Sequence, residues 1–383
     1  MDLELTDDQR DLQGAVAALL ARECPPSLVR AVVEGRLAGS EGAAKELDAL
    51  FAKMAELDWP AIGVPEAEGG LGLGFVETVL LAEQLGRAVA PGPLFPTVSQ
   101  FVPAILASAD AEQRERFLRP VARGESKGTL AFAERPASFA PEDVRAVARP
   151  DGDAFVLSGT KDYVMEASGA TEIVVAARLE GTSGREGLSL FAVPRSALDV
   201  VPTVSLDTSR ELSTVSMRGV RVGPDRVLGA PGSSAGKLEA VLCQAAVALA
   251  AEIVGTCQSI LDMVVTHVSS REQFGVKIGS FQAVKHKAAN MYVAVESARA
   301  LTYFAAAAIA ENDERAGLAA SMAKAAAGDC QELVAEEGIQ CLGGIGYTWE
   351  HDMHMFVKRA KTGALLLGSA AEHRERVARL IGL

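Results

Sequence analysis

Two segments of the sequence combine residue types that could bind a phosphorylated ligand carrying aromatic rings. The first, REQFGVKIGSFQ, runs from Arg271 to Gln282, and the second, QCLGGIGY, runs from Gln340 to Tyr347. An arginine can bind pyrophosphate through two N–H groups, and the ring of Phe274 can stack on a heterocycle. Glycines just after a helix let a ligand's polar chain approach the backbone closely. An interhelical turn with a glycine C-cap explains the same residues equally well.

Other candidate motifs are weaker. The glycine-rich stretch 69–74 follows Trp59–Pro65 in a helical region, whereas a dinucleotide-binding loop must follow a strand and open a helix, so a structural loop is favoured. His351 and His354 lack the further ligands that a zinc site needs, and we predict no metal site. The sequence has no GxSxG elbow, and nucleophilic hydrolysis is therefore not favoured.

Composition narrows the class of protein. A formal net charge of −13 disfavours nucleic acid as a partner. Five cysteines without CxxC spacing predict a reducing, cytoplasmic environment, and the acidic N-terminus has no apolar signal region. The longest apolar stretch, Val241–Val254, is shorter than the ~20 residues of a membrane span and predicts a buried helix, with no membrane partner.

The periodicity of apolar residues changes twice along the 383 residues. We predict an N-terminal α-helical domain at 1–122, a middle β domain at 123–230 and a C-terminal helical bundle at 231–383. In the last domain, helices are expected at about 236–270, 281–311, 314–341 and 351–379, lengths typical of a bundle of antiparallel helices.

Local signals refine this layout. Thr6 followed by Gln9 predicts a capping box, and Phe75–Leu85 and Ala111–Leu118 are predicted helices. Residues 151–153 predict a turn, and 231–234 a linker. Four β-rich runs predict strands of a small antiparallel sheet: Phe155–Leu157, Glu172–Ala176, Leu188–Val193 and Val215–Met217.

The pattern RxxFGxxIGxFQ, followed some 60 residues later by QxxGGxGY on an α–β–α chain, resembles the acyl-CoA dehydrogenase family. The match covers nearly the whole chain, including Gly63-Val64-Pro65-Glu66 and Leu157-Ser158-Gly159-Thr160-Lys161. The resemblance implies an α+β fold with an N-terminal helical domain, a small antiparallel β domain and a C-terminal four-helix bundle. It also implies FAD, an acyl-CoA substrate, four-chain assemblies and an electron-transferring flavoprotein as acceptor.

In that family, FAD lies across subunit boundaries. By resemblance, six residues would contact it: Arg271, Phe274, Gln282, Gln340, Gly343 and Gly344. Arg271 would contact the pyrophosphate of FAD, and Phe274 and Gln282 would lie beside its adenosine part. The remaining three residues would contact another stretch of the same FAD molecule. These residues would serve the flavin of a neighbouring subunit.

The sequence departs from the family at the catalytic base. Members that oxidise acyl-CoA remove the α-proton with a glutamate while the β-hydride passes to the flavin. The usual base position, aligned without gaps from Ala360, is here Leu367. A second position used by some members, 26 residues before Arg271, is here Ala245. Neither side chain can accept a proton, so no catalytic residue is predicted.

The β domain departs as well. The family's Thr-Glu-Pro segment is here Ala133-Glu134-Arg135, and its Trp-Ile-Thr segment is Tyr163-Val164-Met165; both lie beside the flavin ring in the family. The residues that would hold this chain's own flavin ring are therefore altered, while those offered to a neighbouring subunit are retained.

The missing base has a cost of its own: loss of a general base lowers the reaction rate by about 10²–10⁴.

The leading hypothesis is the base-less partner subunit of a heterotetrameric α₂β₂ enzyme, similar to those of steroid-degrading bacteria, acting on a bulky acyl-CoA. A self-sufficient homotetramer would need a displaced base, for which Glu252, Glu239 and Glu166 are candidates, although paired or solvated surface carboxylates explain them better. A flavin monooxygenase or oxidase and a non-catalytic binding protein are further alternatives, since fold analogy does not separate these functions.

Overall fold

The structure is a computed structural model and describes residues 4–40, 42–134 and 139–383. A capping box between Thr6 and Gln9 begins the first helix, as predicted. A π-helical turn, Thr97–Phe101, joins two short helices of this region. The N-terminal helices are α1 (Asp7–Glu23), α2 (Pro26–Leu37), α3 (Gly42–Ala55), α4 (Phe75–Arg87), α5 (Leu94–Pro96), α6 (Val102–Ser108) and α7 (Ala111–Ala122).

The middle of the chain forms an eight-stranded sheet with the order β6-β7-β3-β2-β4-β5-β8, and β1 pairs with β4. Neighbouring strands are antiparallel, apart from the β1–β4 and β2–β4 pairs. The four predicted strands lie within β3, β4, β5 and β7, and the predicted turn at 151–153 joins β2 to β3. The strands are β1 (Gly128–Ala131), β2 (Val147–Asp151), β3 (Ala154–Met165), β4 (Glu172–Leu179), β5 (Leu188–Pro194), β6 (Asp199–Pro202), β7 (Leu212–Val222) and β8 (Val227–Leu228).

The C-terminal part is helical, with one small hairpin after its first helix. Three of the four predicted helices are confirmed. The elements are α8 (Ala235–Ser270), β9 (Glu272–Gln273), β10 (Val276–Lys277), α9 (Gln282–Ala310), α10 (Ala316–Leu342), α11 (Met353–Leu365) and α12 (Ala370–Leu380).

The prediction of a single last helix at 351–379 is wrong, because the chain turns between α11 and α12. Leu367 and Gly368 have φ values of 60° and 100°, which no right-handed helix accommodates. Ser369 then caps α12, accepting from the backbone N–H of Glu372 at 3.3 Å, while the Glu372 carboxylate accepts from the backbone N–H of Ser369 at 2.7 Å.

The chain divides into two compact units. The helical unit comprises Met1–Ala38, Phe75–Ala90 and Ala246–Leu383; the sheet-containing unit comprises Gly39–Gly74 and Pro91–Ala245. The domain boundaries at 122/123 and 230/231 stay predictions.

Within the helical unit, α4 and α8 cross at very short range. A Cβ atom added at Gly86 would lie 2.0 Å from the carbonyl oxygen of Glu252, and one added at Gly255 would lie 1.9 Å from that of Glu83. The Thr256 hydroxyl donates to the carbonyl of Gly86 at 3.1 Å. Only glycine allows this approach of the two backbones.

Among the described residues, two helices, α8 and α9, are long and apolar enough to cross a membrane by length and composition alone, which is weak support for a membrane span. The most apolar part of α8 is 83% buried inside the molecule, as in a core helix, whereas that of α9 is 39% buried. The predicted burial of 241–254 is therefore confirmed.

Candidate functional site

The hairpin after α8 displays an aromatic ring to solvent. Gln273 pairs with Val276, which leaves Phe274 and Gly275 as a two-residue turn. Their φ values, 54° and 77°, are both positive, as a type I′ turn requires. The Phe274 ring is 91% exposed and meets the Phe281 ring edge-on, with centroids 6.2 Å apart.

Phe274 is held in an unfavourable backbone conformation. A non-glycine residue in the left-handed region costs about 1–2 kcal/mol, and residues in such regions cluster at ligand sites. An exposed phenylalanine also leaves its apolar surface in water. Both costs are explained if the ring packs against a molecule outside this chain.

Arg271 directly follows α8 and continues its last turn. Its backbone N–H donates to the carbonyl of His267 at 2.9 Å, and its own carbonyl accepts from the backbone N–H of Ile278 at 2.9 Å. The residue is exposed. Within the described part of the chain, no carboxylate or carbonyl binds its guanidinium. The backbone is therefore fixed while the charged group is available to a ligand.

The end of α10 provides a backbone surface open to a ligand. α10 ends at Leu342, and Gly343 has a φ of 67°. Cβ atoms added at Gly343 or Gly344 would meet no atom within 4 Å, so the space beside both residues is open. Gln340, on the last turn of α10, is exposed. A ligand can approach this backbone as closely as glycine permits.

Packing of the helical unit brings these segments to one end of it. Gly338 of α10 lies against α8 and α11: a Cβ atom there would be 2.7 Å from Ile260 and 3.2 Å from Met353. The C-terminal half of α8, the end of α10 and the start of α11 are therefore neighbours. Gln282, the first residue of α9, is exposed and adjoins Phe281, which contacts the hairpin ring.

These residues fit FAD. An exposed guanidinium, a ring exposed by a strained turn and two glycines with open space match a diphosphate, an aromatic base and a polar chain. All of them face outward, as the predicted contact with a neighbouring subunit's cofactor requires. Their contact with FAD stays a prediction for all six residues.

Neither predicted base position offers a proton acceptor. Leu367 is buried, and its carbonyl accepts from Nε2 of His373 at 2.8 Å. Lys324, itself fully buried, donates to the carbonyls of Ala364 at 3.0 Å and Gly368 at 2.8 Å. Burial lowers the pKa of Lys324 to about 7 and that of His373 to about 4. The turn is thus fixed by buried polar side chains, although no carboxylate projects from position 367.

Ala245, the second position, is fully buried. Of the three carboxylates considered as displaced bases, Glu239 is a paired surface residue, as predicted, with its carboxylate 2.6 Å from Nη2 of Arg185. Glu252 is not at the surface: it is buried, and its Oε1 lies 3.0 Å from Nη1 of Arg359. Glu166 is buried as well, and its Oε1 accepts from the backbone N–H of Glu211 at 2.9 Å.

Glu134, in the first altered segment of the β domain, forms an ion pair with a buried lysine. Nζ of Lys161 lies 2.6 Å from Oε1 of Glu134 and 3.1 Å from the carbonyl of Phe132. Burial lowers the pKa of Lys161 to about 8, against the opposing effect of Glu134. Arg135 lies outside the described residues. Tyr163, in the second segment, has a φ of 59°.

The two neighbouring histidines take different roles. His351 accepts, through Nδ1, the backbone N–H of Met353 at 3.1 Å. His354 stacks on Trp349, with ring centroids 4.3 Å apart. In residues 4–40, 42–134 and 139–383, no group of three or more His, Cys, Asp or Glu side chains could hold a metal ion.

Comparison with known proteins decides the family. The family model described as "Acyl-CoA dehydrogenase, N-terminal domain" matches residues 6–125, and "Acyl-CoA dehydrogenase, C-terminal domain" matches 238–382. The chain belongs to the acyl-CoA dehydrogenase family. The family's FAD-dependent oxidoreductases share its fold: a helical N-terminal domain, a sheet domain and a helical C-terminal domain.

Individual members of the family resemble most of the chain. Acyl-CoA dehydrogenase IpdE2 of Mycobacterium tuberculosis is 31% identical over 372 residues, 97% of this chain and 96% of the relative. Cyclohex-1-ene-1-carbonyl-CoA dehydrogenase of Geobacter metallireducens is 33% identical over 336 residues, which cover 84% of this chain and 85% of the relative. The structure of a variant of the Tcur3481-Tcur3483 steroid acyl-CoA dehydrogenase is 30% identical with a TM-score of 0.84, covering 98% of both chains.

Proposed function

We propose that this chain is a subunit of a heteromeric, FAD-dependent acyl-CoA dehydrogenase and does not itself supply the catalytic base. The observation that carries the proposal is the contrast between two sets of residues. Apolar residues, Leu367 and Ala245, occupy both base positions, whereas Arg271 and Phe274 are exposed and ready to meet a ligand. Such a chain completes a cofactor site for a partner that carries the base.

The carboxylates support the same proposal. A general base must reach the substrate and be free to take a proton. Glu252 is 1% exposed and paired with an arginine, and Glu166 is buried and hydrogen-bonded to backbone. Glu239 is paired with Arg185 at the surface. Each is explained by a structural role.

The substrate class is proposed from the relatives. One similar structure is of a steroid acyl-CoA dehydrogenase, and one similar enzyme is named for a cyclohexene-carbonyl thioester. Both names indicate a ring-bearing acyl group. We therefore propose α,β-desaturation of a bulky acyl-CoA, such as a steroid side-chain thioester, with an electron-transferring flavoprotein as acceptor and a cytoplasmic location.

The residues of this chain would act by binding and orientation. FAD, when bound, supplies the hydride acceptor for the oxidation. Arg271 would donate paired N–H groups to the diphosphate, and Phe274 would stack beside the adenosine. Gly343 and Gly344 would let the polar chain lie against the backbone, with Gln340 and Gln282 donating or accepting hydrogen bonds. Since Leu367 cannot accept the α-proton, that step is assigned to the partner subunit.

Arg271→Ala tests the proposed cofactor face. Loss of a charge-assisted contact with the diphosphate is expected to weaken FAD binding by about 10–100-fold. FAD affinity would be measured by flavin fluorescence on the complex formed with co-expressed acyl-CoA dehydrogenase chains of the same genome. Arg218→Ala, which removes an exposed arginine of the sheet-containing unit, is the matched control. Unchanged FAD affinity of Arg271→Ala would remove the basis of the proposal.

A further inference from the structure

The end of α8 carries a second basic side chain beside Arg271. The backbone N–H of Arg271 donates to the carbonyl of His267, so the two residues are one helical turn apart and their side chains lie on the same face. His267 is partly buried. Its position beside Arg271 follows from the helix alone.

A third basic side chain, on the segment before α11, lies near His267. Met353, the first residue of α11, packs against Gly338 of α10, and Gly338 also faces Ile260 of α8. His351 lies two residues before Met353, and its Nδ1 accepts the Met353 backbone N–H. The proton of the neutral ring is therefore on Nε2, which is left as a hydrogen-bond donor.

Arg271 and His351 both act electrostatically on His267. Burial lowers the pKa of His267, and the nearby Arg271 and His351 lower it further. Neighbouring charges belong to other pairs: Lys277 lies 2.6 Å from the carboxylate of Glu272, and Asp352 lies 2.6 Å from Nη2 of Arg30. A cluster of like charges gains stability when an anion binds among them.

Resting on the function proposed above, we infer that His267 and His351 form, together with Arg271, the binding site for the diphosphate of FAD. A diphosphate carries more negative charge than one guanidinium neutralises, and two imidazoles supply the remaining donors. The N-terminus of α11 begins beside His351 and adds its positive end to the site. The sequence signals this only through the four-residue spacing of His267 and Arg271.

The sign of the pH dependence follows from charge. A bound diphosphate favours the protonated imidazole of His267, so FAD binding takes up a proton there and raises the pKa of His267, while neutral His351 donates through Nε2. Affinity for FAD is then highest at acidic pH and falls as the pH rises through the histidine range. A structural histidine that does not face the diphosphate contributes no such dependence.

The test measures the dissociation constant of FAD from the heteromeric complex by flavin fluorescence, between about pH 5.5 and pH 8. The unaltered complex is expected to bind FAD about 10-fold more tightly at the acidic end, and the double variant His267→Gln/His351→Gln to lose this difference. His286→Gln, an exposed histidine on α9, is the matched control and should keep it. Melting temperatures of all variants verify that they are folded.

The outcomes separate the two proposals. If the double variant keeps the pH dependence of the unaltered complex while Arg271→Ala weakens FAD binding, the inference about the histidines is overturned and the proposed cofactor face stands. If Arg271→Ala also binds FAD normally, both are overturned. Loss of the pH dependence in the double variant alone supports the inference.

Discussion

Replacing Glu252 by glutamine is expected to destabilise the helical unit by about 3–5 kcal/mol. The carboxylate of Glu252 on α8 and the guanidinium of Arg359 on α11 are 1% and 2% exposed and lie 3.0 Å apart. Nη1 of Arg359 also lies 3.4 Å from the carbonyl of Ala90. Removing one charge of such a pair leaves the other buried without its counter-ion, which accounts for the size of the effect.

The loss of stability in Glu252→Gln corresponds to a shift in melting temperature. A chain of 383 residues that unfolds as a unit gains about 0.8 kcal/mol/K of entropy, at about 2.1 cal/mol/K per residue. A loss of about 3–5 kcal/mol therefore lowers the melting temperature by about 4–6 °C. Differential scanning calorimetry of the purified chain measures this shift directly.

Two control variants separate charge burial from other effects of the substitution. Glu239→Gln removes an exposed carboxylate paired with Arg185 and should change stability by less than about 1 kcal/mol. The double variant Glu252→Leu/Arg359→Met replaces both charges by apolar groups and should recover much of the loss. If Glu252→Gln were as stable as the wild type but no longer allowed flavin reduction by acyl-CoA, the structural role would be refuted. Glu252 would then be a displaced base.

Three further substitutions test the packing of the helical unit and the electrostatics of the sheet-containing unit. Gly86→Ala places a methyl group 2.0 Å from a backbone oxygen of α8 and should lower the melting temperature by several degrees, whereas Gly14→Ala, in open space on α1, should raise stability by about 0.5–1 kcal/mol. The pKa of Lys161 is lowered from 10.5 to about 8, so the folded state binds fewer protons than the unfolded state between these values. The free energy of unfolding should therefore rise from pH 8 to pH 10.5, and urea titrations should show a smaller rise in Lys161→Met; an unchanged rise would contradict the assignment.

Much of the fold could be predicted from the sequence, because its elements are long and strongly patterned. α8, α9 and α10 were expected within a few residues of their observed bounds, and the strands follow β-rich runs between turn residues. The break between α11 and α12 was missed because it depends on a positive φ at Leu367, a residue type that does not signal a turn. Gly368 and the capping box of Ser369 with Glu372 were the available signals.

The candidate site was also predicted only in part from the sequence. The residue types of Arg271 and Phe274 suggested a phosphate and a ring contact, yet the two-residue hairpin that displays the ring was missed, since each of its strands has only two residues. The burial of Glu252 could not be read from the sequence, because charged residues are usually exposed and its partner is 107 positions away. The assignment to FAD came from the family resemblance.

The flavin content of the chain, purified alone and together with a co-expressed catalytic subunit, shows whether the chain needs a partner to bind FAD. Absorbance at the flavin band would be measured with the mass of the assembly in solution. We expect colourless protein from the chain alone, and two FAD molecules per four chains in the mixed complex. One FAD per subunit in a homotetramer, reduced by acyl-CoA without a partner, would contradict it.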